Sequence, residues 1–570
     1  MATSTLCVLF FCFSLPSISS ANPSPSSLSA SDSDPLARNA FHIFNAVHSS
    51  MRQWGSSLNY NGMSFFPARV PKGTEFYHGR GTNETVTGIE WLAFEPEHAQ
   101  IFGSHGPGER PPGGGGRGPP GDGNGPPPKD GRDPPGFVPK GNGFGSPKDG
   151  FGPPKYGKPP LHAGYQRPLD FEKREGESDT QLTGYIHTYI TSRDLQFLYI
   201  DGMSAGKTAN GTLDSQYHGI LNSTKIHQGR WDYGLAKDMC SIAANEWKGR
   251  VDGFIRMEAG FEVILCDFAK SVELGRITRA GSACSVFRGC EDAGPEAAHS
   301  VKFAYLRAVS DRYHGVGGNR VQINYDKFVS AYTQDIDLFK SGQRGPRLQD
   351  APPEILSAIR SELDALVLSE PNPFTAKSRD WQSIVDMIIT HYSSRLQYLS
   401  SENIIANKAA FLHELDLLLS PFISYDSRSP TAEIARCTTH FLPFSNTPTL
   451  ASQTTSHVSN HICKTLVYLS SHPQNRVEVM KQLIADLNWT TWKQCKGCGW
   501  DEVCLVPIWP FGTEEDWVKP SCVNASTLPT KQGFWGPREG PGGGPGEGPP
   551  GAAPPPLPMA VLKNWWRGEV

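Results

Sequence analysis

The sequence predicts an α+β protein: an N-terminal α+β domain at 36–340, interrupted at 103–160, then a mostly helical, disulfide-bonded domain at 350–524 with a cysteine-rich end. Three observations predict it. Before residue 340, short apolar runs of strand length alternate with helical stripes. After residue 353, apolar residues recur almost continuously at helical spacing. Between 103 and 160, 35 of 58 residues are glycine or proline, which leaves too little apolar surface to offset chain entropy. That segment is expected to be a disordered insertion. Closure entropy grows slowly with loop length, so a domain tolerates such an insertion at a loop tip. Glycine does not recur at every third position, which argues against a collagen helix. A second glycine–proline segment begins a low-complexity tail at 533–570.

In chain order, Ala40, Ile43, Phe44 and Val47 mark a first helix. Residues 65–70 and 74–77 read as short strands, 91–94 as another apolar run, and 96–102 as a helix with proline in its first turn. Beyond the insertion, 183–191 alternates, 195–200 is a compact apolar run, and 236–247 is helical in character. Residues 254–268 form the strongest strand candidate, because Phe261, Val263 and Leu265 alternate with Glu262, Ile264 and Cys266. Residues 301–309 and 321–325 read as further strands. In the second domain, Ile355, Leu356, Ile359, Leu363, Leu366 and Val367 recur at helical spacing, as do Ile384, Val385, Ile388, Ile389, Tyr392 and Leu396. Ile404, Phe411, Leu412, Leu415 and Leu418 continue the pattern. Ser429 and Pro430 read as a cap and first turn, and Val479, Met480, Leu483, Ile484 and Leu487 as a last amphipathic helix.

Residues 1–20 read as a signal peptide, with an apolar core at 6–18 and small residues following. The run falls short of the ~20 residues that span a bilayer, so no membrane span is expected. Ten cysteines remain beyond the leader: Cys240, Cys266, Cys284, Cys290, Cys437, Cys463, Cys495, Cys498, Cys504 and Cys522. An even number in an oxidising compartment points to disulfides, with connectivity open. Sequons at Asn83, Asn210, Asn222, Asn488 and Asn524 carry the further expectation that these asparagines face water. The chain is therefore expected to be secreted, either free outside the cell or in the cell wall. The formal net charge of -4 is small for 570 residues, and no lysine or arginine block dominates, so a nucleic-acid partner is not indicated.

Four segments invite chemistry. Residues 197–208, FLYIDGMSAGKT, resemble a phosphate loop, but Asp201 stands where the first glycine belongs and a sequon follows, so they read as a structural turn. The loop HGVGGNR at 314–320 reads as a strand-entry turn, with anion binding as the alternative. Cys495, Cys498 and Cys504 have spacing that a zinc site uses, yet four ligands are usual, and the compartment favours disulfides, with Cys522 as a further partner. Asp252, Glu258, Glu262 and Asp267 cluster in one segment. On a strand, Glu258 and Glu262 share a side, either as an acid–base pair or as a solvated face beside Arg256.

Residues 76–102, FYHGRGTNETVTGIEWLAFEPEHAQIF, resemble the opening of the ADP-ribosyltransferase-like fold. Tyr77, His78 and Gly79 match its first motif, and 91–94 with His98, Ala99 and Phe102 its second. The resemblance implies NAD as cofactor, His78 hydrogen-bonded to its ribose, and a catalytic glutamate on a later strand, a role for Glu262 or Glu258. It covers under 30 residues. On a larger scale YIDGMSAGKTANGTLDSQ, DGFIRMEAGFEVILCDF, RYHGVGGNRVQINY and DEVCLVPIWPFG together resemble a family of uncharacterised secreted proteins of filamentous fungi. That resemblance implies compartment and architecture only. The functional expectation is transfer or hydrolysis at a ribosyl or glycosyl centre; the alternative is a non-catalytic surface protein, with cell-wall polysaccharide as partner and the glycine–proline segments as spacers.

Overall fold

The computed structural model describes residues 34–53, 61–103, 184–208, 210, 213–224, 232–280, 294–340, 345–442 and 448–535. The expected leader at 1–20, nearly all of the insertion and the tail after 535 lie outside them, as do Cys284 and Cys290.

Helix α1 (Pro35–Ser49) starts where the Asp34 carboxylate accepts the Leu36 amide and proline fills the first turn. Strands β1 (Asn61–Val70), β2 (Glu75–Arg80) and β3 (Glu90–Ala93) follow, then α2 (Pro96–Gly103). After the insertion come β4 (Tyr185–Thr191), β5 (Leu195–Gly202), a π-helical turn at Ser215–Ile220 and α3 (Asp232–Asn245). The expected long strand at 254–268 is instead a hairpin, β6 (Gly253–Met257) and β7 (Phe261–Leu265), turning at Glu258-Ala259-Gly260. Next come α4 (Phe268–Ser271) and β8 (Val272–Arg279). Residues 301–309, expected as a strand, belong to α5 (Gly294–Ser310), where Tyr305, Leu306 and Val309 bury one helical face. Two short strands, β9 (Gln322–Ile323) and β10 (Val329–Ser330), end this half.

These ten strands form one sheet in the order β10-β1-β5-β6-β7-β3-β2-β4-β8, with β9 also paired to β1. Every pairing is antiparallel except β5–β6, whose crossover carries α3. All five residues of β6 and all five of β7 are buried, so the sheet centre is covered on both faces.

The helical half contains α6 (Pro353–Leu368), α7 (Trp381–Leu399), α8 (Glu402–Ile405), α9 (Lys408–Leu419), α10 (Pro430–Thr439), α11 (Leu450–Ser471) and α12 (Arg476–Leu487). The Ser429 cap is present, with its hydroxyl accepting the Ala432 amide. The end of the chain adds α13 (Glu514–Val518) and a hairpin of β11 (Val503–Leu505) and β12 (Ser521–Val523), on which Cys504 and Cys522 stand opposite each other. The two halves share one buried apolar core. The Asn45 amide donates to the Leu487 carbonyl (3.0 Å), and Arg52 grips Asp386 of α7 at 2.7 and 2.6 Å. No helix among the described residues is long and apolar enough to cross a membrane.

Candidate functional site

The centre of the sheet carries a buried cluster of charges. Past β5 the chain turns through Met203–Thr208 and holds Lys207 in the left-handed region (φ 53°). Its ammonium bonds Asp232 Oδ2 (2.5 Å) and Glu258 Oε2 (2.8 Å). Arg256 on β6 is fully buried; its Nε donates to Glu262 Oε1 (2.8 Å), its Nη2 to Asp232 Oδ1 (3.3 Å) and its Nη1 to Gln216 Oε1 (2.8 Å). Gln216, from the π-helical turn, donates in turn to the Ser204 carbonyl (2.7 Å). A buried cation survives only where carboxylates answer it, and this network supplies them. Asp232 opens α3, where a helix N-terminus favours negative charge. Solvent reaches the cluster on one side, because the Asp232 side chain is 22% exposed and that of Glu258 12%, against 7% for Glu262.

The carboxyls are driven apart in protonation. Burial, with the negative Glu258 and Asp232 nearby, outweighs Arg256 and raises the Glu262 pKa to about 7. Burial also opposes ionisation of Asp232, but Lys207 and Arg256 overcome it and its pKa falls below the usual value. One guanidinium thus holds a carboxyl that retains its proton towards neutrality beside one that has lost it. Above them lie α2 and α5: the Tyr305 hydroxyl donates to the Ala259 carbonyl, and burial lowers the pKa of His98 to about 4.

The residues expected from the ADP-ribosyltransferase resemblance do not converge. Pairing aligns Tyr77 with Ala93, Ala93 with Glu262 and Glu262 with Arg256, so Tyr77, Gly79, Glu262 and Arg256 share one face. His78 points to the other face, where its Nδ1 meets the Trp91 carbonyl (2.7 Å) and its ring lies edge-on to His187 and Phe268. Burial lowers its pKa to about 4. The arrangement that the resemblance implies for NAD therefore does not fit: His78 is engaged across the sheet from the glutamates. Gly79 has a packing reason instead, since a Cβ there would lie 1.8 Å from the Ala99 carbonyl oxygen of α2. The Tyr77 hydroxyl donates to Glu75 (3.3 Å). Glu258 and Glu262 are not partners on one strand face: Glu258 is in the turn, and Lys207 and Arg256 link it to Glu262 through Asp232.

Of the sequons, Asn83, Asn222 and Asn488 are exposed and Asn524 is half-buried. Asn210 departs from the expectation that sequon asparagines face water: it is 6% exposed, and the Nδ2 that would carry a glycan donates to the Phe534 carbonyl (2.7 Å). Disulfides join Cys240 to Cys266, Cys437 to Cys463, Cys495 to Cys504 and Cys498 to Cys522. The glycine loop is a turn, with positive φ at Gly315, Gly317, Gly318 and Asn319, and Arg320 bonds Glu95 (3.2 Å). Sequence reasoning missed Lys207, Asp232 and Gln216 as site residues. The one signal for Lys207 was a lysine following a buried strand, and its failed phosphate-loop spacing pointed away from function.

The family described as the YPL277C N-terminal domain matches residues 34–283, a span that holds every charged member of the cluster. The chain is 26% identical to the uncharacterized protein YOR389W of Saccharomyces cerevisiae, over 84% of this chain and 83% of that protein. It is 34% identical to the uncharacterized protein YPL277C of the same yeast, over 41% of this chain and 42% of that protein. No solved structure matches the chain. The likeness to uncharacterised fungal proteins thus extends along most of the sequence.

Proposed function

We propose that the chain is an exported, N-glycosylated enzyme that transfers or hydrolyses a glycosyl or ribosyl group, with its chemistry at the Asp232–Glu258–Glu262 cluster and not at His78. The observation that carries this reading is the shared guanidinium of Arg256, which bonds two carboxyls of opposed protonation. Such a pair suits acid–base work at an acetal: the protonated Glu262 gives its proton to the departing oxygen as the C–O bond breaks, the ionised Asp232 faces the positive charge that develops at carbon, and water or an acceptor hydroxyl bonds that carbon and returns a proton to Glu262. Lys207 keeps Glu258 and Asp232 in place. The disulfides support the exported setting.

The test uses the purified chain, a panel of soluble aryl glycosides and NAD, with product release as readout. Glu262→Gln and Asp232→Asn should each lower turnover by roughly 10²- to 10⁴-fold while the protein stays folded. A second reading, a non-catalytic surface protein, is favoured by the complete internal pairing of Lys207 and Arg256. It expects no turnover of any substrate, with the two variants shifting only the melting temperature; that outcome would sink the enzyme reading.

A further inference from the structure

Trp500 is 92% exposed, the most exposed large apolar side chain among the described residues. Its loop is nonetheless held firmly. Cys495–Cys504 and Cys498–Cys522 close around it, Glu502 accepts the Gly499 amide (2.8 Å), and Arg307 of α5 donates to the Trp500 carbonyl (3.4 Å). A surface indole on a stapled loop has already lost the chain entropy that binding would otherwise cost.

The surroundings select the occupant. Among the described residues of 490–535, no other large hydrophobic side chain is exposed, and Lys496, Gly497, Gly499 and Asp501, its neighbours in sequence, are all exposed. One indole offers about 150–250 Å², far below the ~800 Å² per partner of a stable protein interface. Adjacent Asp501 and Glu502 disfavour an anionic membrane surface. A flat apolar ring on a loop that also carries Asp501 and Glu502 matches a neutral pyranose, whose C–H face stacks on the indole and whose hydroxyls donate to acids. Moreover, α5 links the two places: Tyr305 contacts the turn that carries Glu258, and Arg307 contacts Trp500.

We infer that Trp500, on its disulfide-stapled loop, is the anchor by which the chain binds a neutral polysaccharide. The inference names the substrate class of the enzyme reading and rests on it for the link to catalysis, but the binding itself is measured separately. The experiment mixes the full chain with insoluble β-glucan and chitin particles, and with phosphatidylserine vesicles, and measures depletion from solution. The wild type should bind one of the particles, Trp500→Ala should weaken binding at least tenfold, and Trp500→Tyr should retain most of it. Loss of turnover in Glu262→Gln and Asp232→Asn with particle binding intact separates the two readings. Equal binding by Trp500→Ala, no binding to either particle, or binding to vesicles alone overturns the inference.

Discussion

Asn210 shows how far a residue's neighbours in sequence fall short of its neighbours in space. Its sequon is complete, but its nitrogen is bonded to the carbonyl of Phe534, more than three hundred positions away, and the side chain is buried. A glycan on that atom cannot coexist with this fold. If the chain is exported and glycosylated as proposed, Asn210→Gln should therefore leave its apparent mass unchanged on gels, whereas Asn83→Gln, at an exposed position, should lower it by one glycan. A mass loss in Asn210→Gln would show the burial to be wrong. His78 makes the same point: the histidine–glycine pair was legible, but its face was fixed only by the register with β3 and β4.

Elements with an apolar stripe were legible. Helices α1, α6, α7 and α12 and strands β1 and β5 lie where periodicity expects them. Those that failed had a competing signal. Helix α11 went unread because serine and threonine dominate LASQTTSHVSNHICKTLVYLSS; several of those hydroxyls bond the helix's own carbonyls, as Thr454 does to Leu450 (2.9 Å). Residues 301–309 hold enough apolar and aromatic residues to suggest a strand, and only packing over the sheet made them helical. The hairpin of β6 and β7 reads as one strand in the sequence because both arms are apolar and only Ala259-Gly260 breaks them. The closeness of α2 to β2 is also an element-scale matter. Gly79→Ala should destabilise the fold by about 3 kcal/mol or prevent folding, since its methyl group meets backbone and not a yielding side chain. Urea unfolding measures this, and an unchanged midpoint would contradict the packing.

For the molecule as a whole, buried titratable groups set how stability follows pH. Burial raises Glu262 and Asp201 to about 7, so between 4.5 and 7 the folded state keeps two protons that the unfolded chain releases, and each lowers stability as pH rises. Burial lowers His42, His78 and His98 to about 4, so up to 6.5 the unfolded chain binds three protons that the fold refuses, and each raises stability with pH. Burial also lowers His48, His187, His391 and His457, so the histidines prevail up to 6.5; above it the raised carboxyls act. The melting temperature should rise from pH 4.5, peak near 6.5 and fall through 7, as thermal scans at half-unit steps can check. A continued rise through pH 7 would contradict the protonation assigned to Glu262 and Asp201. The sequence by itself determined the fold class, most elements, and the pool of cysteines and sequons, because periodicity and composition are local properties. Only the tertiary structure decided which cysteines pair, which asparagine is hidden, and that Lys207, Asp232, Arg256 and Glu262 meet while His78 does not. Those outcomes depend on strand register and on contacts between distant segments, which no local pattern encodes.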